Sequence, residues 1–214
     1  MRYNIHTHQI SDEPQATGIL NCYPNDVLPN NLFSIGMHPW YLKLEEIDRQ
    51  LDLIKVALHN PNCLAVGECG LDKRIELPLE LQQGPFVAQL KIAQAARKPV
   101  ILHCVGAFQE VLMLKKQMQI TVPLVIHGFS KSVELAHQLL DAGFFLSFGK
   151  HLLKQEHLKL VIRSVPLSKL FLETDTADVS LLEVYEVAAL ALKIDRQTLE
   201  NQIEINFNQV FYKE

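Results

Sequence analysis

Eight apolar runs of strand length, at about 3–8, 17–23, 32–38, 63–69, 99–104, 123–128, 144–149 and 170–175, restrict the fold more than any other feature of this chain. Between Tyr41 and His59 the apolar residues Leu44, Ile47, Leu51, Ile54, Val56 and Leu58 recur at mostly three- and four-residue intervals, and similar patterns fill 79–97, 108–119, 131–142 and 154–164. These segments predict amphipathic helices. Strand and helix in alternation imply parallel strands joined by helical crossovers, and eight such strands close most economically into a barrel. The intervals 9–16 and 24–31 are too short for a crossover helix with its loops. The expected architecture is therefore α/β, a trimmed (β/α)8 TIM barrel lacking helices after its first two strands. Further helices are expected over 179–193, 196–203 and 206–212.

A chain of 214 residues, 48% hydrophobic and 21% charged, falls in the size range of one domain, so 1–214 is read as a single domain. Met1-Arg2-Tyr3-Asn4 leads straight into a histidine pair without a leader-like apolar region, and no run is long enough to span a membrane. A cytoplasmic protein with no membrane association and no obligate protein partner is the expectation. Cys22, Cys63, Cys69 and Cys104 show no CxxC spacing, which reads as reduced, buried thiols. A net charge of −4 argues against an extended surface for gripping duplex DNA.

The runs end in residues that bind metals. His6 and His8 close the first, His38 the third, Glu68 the fourth, His103 the fifth, His127 the sixth and Asp175 the last. In a barrel of this kind the C-terminal strand ends converge on one mouth, where catalytic groups sit. His6 and His8, two apart on a strand, leave the same face and can share one ion. Glu68 ends an apolar run where an unmet charge is expensive, and its two oxygens can bridge two cations. His103 and His127 can complete the shell of a second ion, and Asp175 can bind metal while accepting a proton from water. Read singly, His103 and His127 are hydrogen-bonded core histidines, and Asp175 is the N-cap of the next helix. His59, His137, His151 and His157 fall in helical or loop patterns and read as surface residues.

The motifs Ile5-His6-Thr7-His8, Gly36-Met37-His38-Pro39-Trp40, Val66-Gly67-Glu68-Cys69-Gly70-Leu71-Asp72, Pro99-Val100-Ile101-Leu102-His103-Cys104, His127-Gly128-Phe129-Ser130 and Glu173-Thr174-Asp175 follow one another in an order that resembles the TatD family of metal-dependent hydrolases. The resemblance runs through the whole chain. It implies that His6, His8 and Asp175 hold one divalent ion, that Glu68 bridges, and that His103 and His127 hold the second. It also implies that His38 lies near the scissile group rather than on the metals, and that Glu173 stands behind a ligand or faces substrate. Two features depart from the family pattern. Val105 stands where the family's HSRDA-like run has arginine, and Thr176-Ala177-Asp178 replaces its proline and asparagine-rich loop.

Two cations, of zinc, manganese or magnesium, sharing Glu68 would generate a hydroxide near neutral pH, so the expected reaction is hydrolysis. The resemblance implies phosphodiester cleavage by a TatD-like deoxyribonuclease, and the acidic composition without long basic loops points to small or single-stranded nucleic acid as its substrate. In that reading Asp175 is the base, His38 the donor to the oxyanion or leaving group, Lys150 and Arg74 phosphate contacts, and Trp40 a stacking ring. Two alternatives stand beside it: hydrolysis of a small cyclic amide or ester, and a metal-binding protein that has lost catalysis.

Overall fold

The computed structural model describes residues 1–10 and 12–212. Its strands are β1 (Arg2–Thr7), β2 (Ala16–Cys22), β3 (Phe33–Ile35), β4 (Cys63–Asp72), β5 (Val100–Val105), β6 (Leu124–Ile126), β7 (Phe145–Phe148) and β8 (Leu170–Leu172). Its α-helices are α1 (Ile47–Ala57), α2 (Leu79–Ala95), α3 (Phe108–Gln117), α4 (Val133–Asp141), α5 (Lys150–Lys154), α6 (Leu158–Ser164), α7 (Leu181–Leu192) and α8 (Arg196–Phe211). The strands form one eight-stranded sheet in chain order, and the pairs β1–β2, β3–β4, β4–β5, β6–β7 and β7–β8 are parallel. This is the (β/α)8 order read from the sequence. Among the described residues no helix joins β1 to β2 or β2 to β3; residue 11 lies outside them.

Several element boundaries differ from the sequence reading: β4, expected to end at 69, runs on to Asp72, so Glu68 lies inside the strand rather than closing it. The segment after β3 opens with two 3₁₀ turns, Pro39–Tyr41 and Leu44–Glu46, before α1 begins, because His38 caps the first turn and Pro39 starts it. The helix expected over 154–164 begins only at Leu158, as α6, and a separate short helix, α5, precedes it with Gln155 in extended backbone between them. The two terminal helices expected over 196–203 and 206–212 are one, α8, since Leu199, Ile203, Phe207 and Val210 form a single buried stripe.

The chain divides into two compact units, Met1–Leu20 with Val125–Glu214 and Asn21–Leu124. In the first, Tyr3 of β1 stacks on Phe207 of α8 with ring centroids 4.3 Å apart. The Tyr185 hydroxyl of α7 both accepts from Tyr3 N and donates to Tyr3 O, at 2.9 Å each, so α7 is pinned to the strand by a side chain acting as a peptide group. Ser180 caps α7, and the Glu13 carboxylate accepts from the free Leu181 and Leu182 amides at 2.7 and 3.2 Å.

In the second unit β4 is buried along all ten residues, so neither face meets water. Two buried glutamines of α2 hold the neighbouring strand ends. Gln89 accepts from Met37 N at 2.7 Å and donates to Met37 O at 3.3 Å. Gln82 accepts from Asp72 N at 2.8 Å and donates to Asp72 O at 2.8 Å and Leu77 O at 2.7 Å. Each amide supplies the partner a missing strand would have given. Gln82→Met keeps the volume but strands the Asp72 peptide, and is expected to lower the unfolding free energy by about 3 kcal/mol in chemical denaturation.

Candidate metal centre

Two of the strands that carry ligand candidates, β1 and β4, bulge at them. Between Asn4↔Gly18 and Thr7↔Leu20 strand β1 advances three residues while β2 advances two, and the irregularity spans Ile5 and His6. Between Val66↔Val100 and Cys69↔Leu102 strand β4 does the same against β5, spanning Gly67 and Glu68. Gly67 and Gly70 have φ of 141° and 154°, and a Cβ at either would run into the carbonyl of Ile101 or His103. Only glycine lets β4 come this close to β5.

In the first unit the β1 end is stitched to the segment after β8. Asp175 N donates to His6 O at 3.0 Å and His8 N donates to Asp175 O at 3.1 Å. Asp175 takes a left-handed φ of 56°, and its Oδ1 lies 3.7 Å from both His6 Nε2 and His8 Nε2. That distance is too long for hydrogen bonds and near the roughly 3.4 Å separating two ligand atoms that share a tetrahedral ion. The His127 ring packs 4.5 Å from that of His6, and His6, His127 and Asp175 present ligand atoms all within 4.8 Å of one another. A mixed nitrogen and oxygen set this compact fits a divalent cation. Asp175 is not a helix cap, because Ser180 fills that role for α7.

Two side chains support this group. Lys150 donates to Asp175 Oδ2 at 2.7 Å, leaving Oδ1 turned to the histidines. Burial alone would raise the Asp175 carboxyl, but His127, Lys150 and His6 outweigh it and hold the group below its ordinary value. Glu173, fully buried, accepts from Gly128 N at 2.7 Å and faces His127 Nδ1 at 3.3 Å. Gly149 makes room for it, since a Cβ there would meet the Glu173 carbonyl at 2.8 Å and its Cγ at 3.0 Å. Glu173 therefore sits behind His127, where it can orient the ring.

The second unit holds His38, Glu68 and His103, again with ligand atoms within 4.8 Å of one another. Glu68 N donates to Asn21 Oδ1 at 2.7 Å, and Glu68 Oε1 meets His38 Nε2 at 3.1 Å and His103 Nδ1 at 2.9 Å. Trp40 N donates to His38 Nδ1 at 3.1 Å, so the His38 proton sits on Nε2 and the residue is a donor. His103 Nε2 bonds Asp72 Oδ2 at 2.9 Å, which also accepts from the Trp40 indole at 2.7 Å, while Asp72 Oδ1 accepts from Arg74 N at 2.8 Å. Burial would raise the Asp72 carboxyl, and Trp40, His103 and the Arg74 amide together bring it below its ordinary value.

The structure thus gathers the sequence-predicted residues into two groups, His6, His8, His127, Glu173, Lys150 and Asp175 in one unit and His38, Glu68, His103 and Trp40 in the other. Arg74 contributes its backbone amide, with an exposed side chain. Sequence reasoning missed Asp72 as a site residue, although it closes the Glu68 motif, and missed Gln82 and Gln89, which carry no motif. His59, His137 and His157 are exposed and His151 half-buried. All four cysteines are buried thiols outside any disulfide, and burial pushes the Cys22 and Cys63 thiols up to about 11 and about 12. Among the described residues no helix is long and apolar enough to cross a membrane.

Residues 15–212 match the family described as TatD related DNase. Among curated relatives, an uncharacterized metal-dependent hydrolase of Haemophilus influenzae is 33% identical over 71% of this chain and 62% of its own length. A 3'-5' ssDNA/RNA exonuclease, TatD of Klebsiella pneumoniae, is 32% identical over 58% of this chain and 49% of its own. The chain spans less than two thirds of the length of these relatives. Among solved structures, YjjV, a TatD homologue of Escherichia coli K12, superposes with a TM-score of 0.81 at 22% identity, covering 100% of this chain and 98% of that one. It shares the TIM-barrel fold.

The Asp72–His103 contact has a measurable consequence. Asp72→Asn is expected to weaken divalent-ion binding by roughly 10- to 100-fold, read by calorimetry on folded protein. An unchanged affinity would mean that Asp72 serves packing alone.

Proposed function

The chain belongs to the TatD-related DNase family of metal-dependent hydrolases, and on that premise we propose that it is a divalent-metal-dependent phosphodiesterase acting on single-stranded or short nucleic acid. The observation that carries the reading is the convergence of His6, His127 and Asp175 ligand atoms within 4.8 Å, with His8 joining them at the Asp175 carboxylate. The sequence resemblance would put His6, His8 and Asp175 on one ion and His103 and His127 on a second, with Glu68 shared, whereas the structure groups His127 with His6 and Asp175, and His103 with His38 and Glu68. Of the expected ions, zinc suits the imidazoles and manganese the mixed set, while magnesium, which takes oxygen ligands, is the poorest match.

Bound cations would supply charge against a phosphoryl oxygen and acidify a water. The protein's own residues divide the remaining work. Asp175 keeps Oδ1 available to accept the proton of the attacking water while Lys150 holds Oδ2. His38, its tautomer set by Trp40 N, donates from Nε2 to the developing oxyanion or the leaving oxygen. Glu173 and Asp72 hold the His127 and His103 rings in orientation. With Val105 in place of arginine, Arg74 has an exposed side chain for a flanking phosphate, and Lys150 would have to exchange its Asp175 partner to reach one.

The exonuclease named in Klebsiella supports single-stranded substrates, as does the net charge of −4, since affinity from counterion release scales with the number of phosphates neutralised. Cleavage of single-stranded oligonucleotides is expected to fall only shallowly with salt, as for one to three phosphate contacts. Robust cutting of long duplex DNA, or hydrolysis confined to amides, would overturn the reading.

Two substitutions separate ligand from base. Glu68→Gln is expected to cut bound metal from about two ions toward one or none in a protein that stays folded, read by metal analysis. Asp175→Asn is expected to lower turnover by roughly 10²- to 10⁴-fold with a smaller loss of metal. Full turnover in Asp175→Asn would remove it from the mechanism.

A further inference from the structure

Beside His38 the second unit opens a cleft of 290 Å³ whose walls include Tyr23, Pro24, Met37, Tyr41 and Lys43. None of these residues belongs to the ligand set. The cleft lies at the small end of the roughly 300–1,000 Å³ typical of small-molecule sites, enough for one ring system and too little for a chain of them. Three of its eight lining side chains, Tyr23, His38 and Tyr41, are aromatic rings. Tyr41 is 57% exposed, and its ring meets that of Tyr23 edge to face at 5.2 Å and that of His38 at 5.5 Å.

The frame around it is built. Tyr23 is fixed by a turn in which its amide donates to Asp26 Oδ2 at 2.7 Å. Burial, then Tyr41, then the charge of Glu68 push the Tyr23 hydroxyl above its ordinary value, so the cleft lies within the field of the carboxylate that His38 and His103 contact. Lys43, at the rim, is paired with Glu46 at 3.2 Å and remains largely exposed. An exposed aromatic face, an apolar floor at Met37 and one cation at the edge match a planar base carrying a phosphate on its sugar. They match an acidic peptide or an aliphatic chain poorly.

We infer that this cleft is a base-stacking subsite, in which Tyr41 stacks on the nucleobase next to the phosphodiester presented to His38. The inference rests on the proposed nuclease reading and adds to it where the substrate's base is held. Stacking reads no hydrogen-bond pattern, so the subsite accepts any base.

The test compares a single-stranded hexanucleotide with two analogues, abasic at the terminal or at the penultimate position. Cleavage is measured with the full chain loaded with manganese, and binding by anisotropy without added metal. Wild-type protein is expected to lose affinity for one abasic analogue by roughly 5- to 150-fold. Tyr41→Ala is expected to show that loss on the intact strand and no further loss on the analogue, while Tyr41→Phe behaves as wild type. If the wild type cuts the intact strand but ignores both abasic positions, or if Tyr41→Ala and base removal weaken binding independently, the subsite is overturned and the nuclease reading stands. If no strand is cut yet binding still prefers the base through Tyr41, the subsite stands and the nuclease reading falls. Absence of both cleavage and preference overturns both.

Discussion

A buried carboxylate must be met by donors or by positive charge, and much of this molecule is arranged to satisfy that demand at four of them. Glu68 is buried inside β4, Asp72 at its end and Glu173 just after β8, and Asp175 is mostly buried. Moved from water without partners, any one of them would be protonated or would unfold its surroundings. Each has been given histidine. Asp72 and Glu68 take the two nitrogens of His103, Glu173 faces His127, and Asp175 lies between His6 and His8. Apart from His103, whose two nitrogens both face carboxylates, each of these imidazoles has a second nitrogen for another partner, and a cation suits that position.

Holding the carboxylates still requires a second layer that is neutral. Asn21 takes the Glu68 amide, Gln82 takes both peptide groups of Asp72, and Asn4 exchanges hydrogen bonds with Thr174, one residue before Asp175. Amide side chains suit this task because each carries one acceptor and one donor group and adds no charge to a region already dense in it. A lysine in any of these places would compete with a metal for the carboxylates. Lys150 is the exception among these contacts, and it takes the Asp175 oxygen turned away from the histidines.

The sequence shows the ligand candidates and the strand order because both have short-range signatures: an apolar run of strand length, and a histidine or carboxylate where it stops. The supporting layer has none. Gln82 and Gln89 fall in a helix where a glutamine reads as a surface residue, and only the fold reveals that they face buried strand ends. The bulges at His6 and Glu68 were equally hidden. Period-two alternation places successive side chains on opposite faces, yet every residue of β1 and β4 is buried, so the pattern from which a bulge could be read is missing. The merging of two expected helices into α8 has a similar cause, since Asn206 looks like a break but is buried, donating to Leu167 O and Leu170 O at 2.7 and 2.9 Å.

The distribution of cations bears on which substrates such a site can hold. A nuclease that grips duplex needs lysines and arginines free to follow a phosphate backbone, because the gain comes from releasing many counterions. Here Lys43 pairs with Glu46, Lys73 with Glu110 at 2.6 Å and Lys150 with Asp175. Each of these cations is already matched by a carboxylate, so engaging a phosphate means exchanging one partner for another, with a small net gain. Where charge offers little, stacking offers more per contact and tolerates any sequence. The exposed rings of Trp40 and Tyr41, each touching His38, stand where that exchange of charge for aromatic surface would place them.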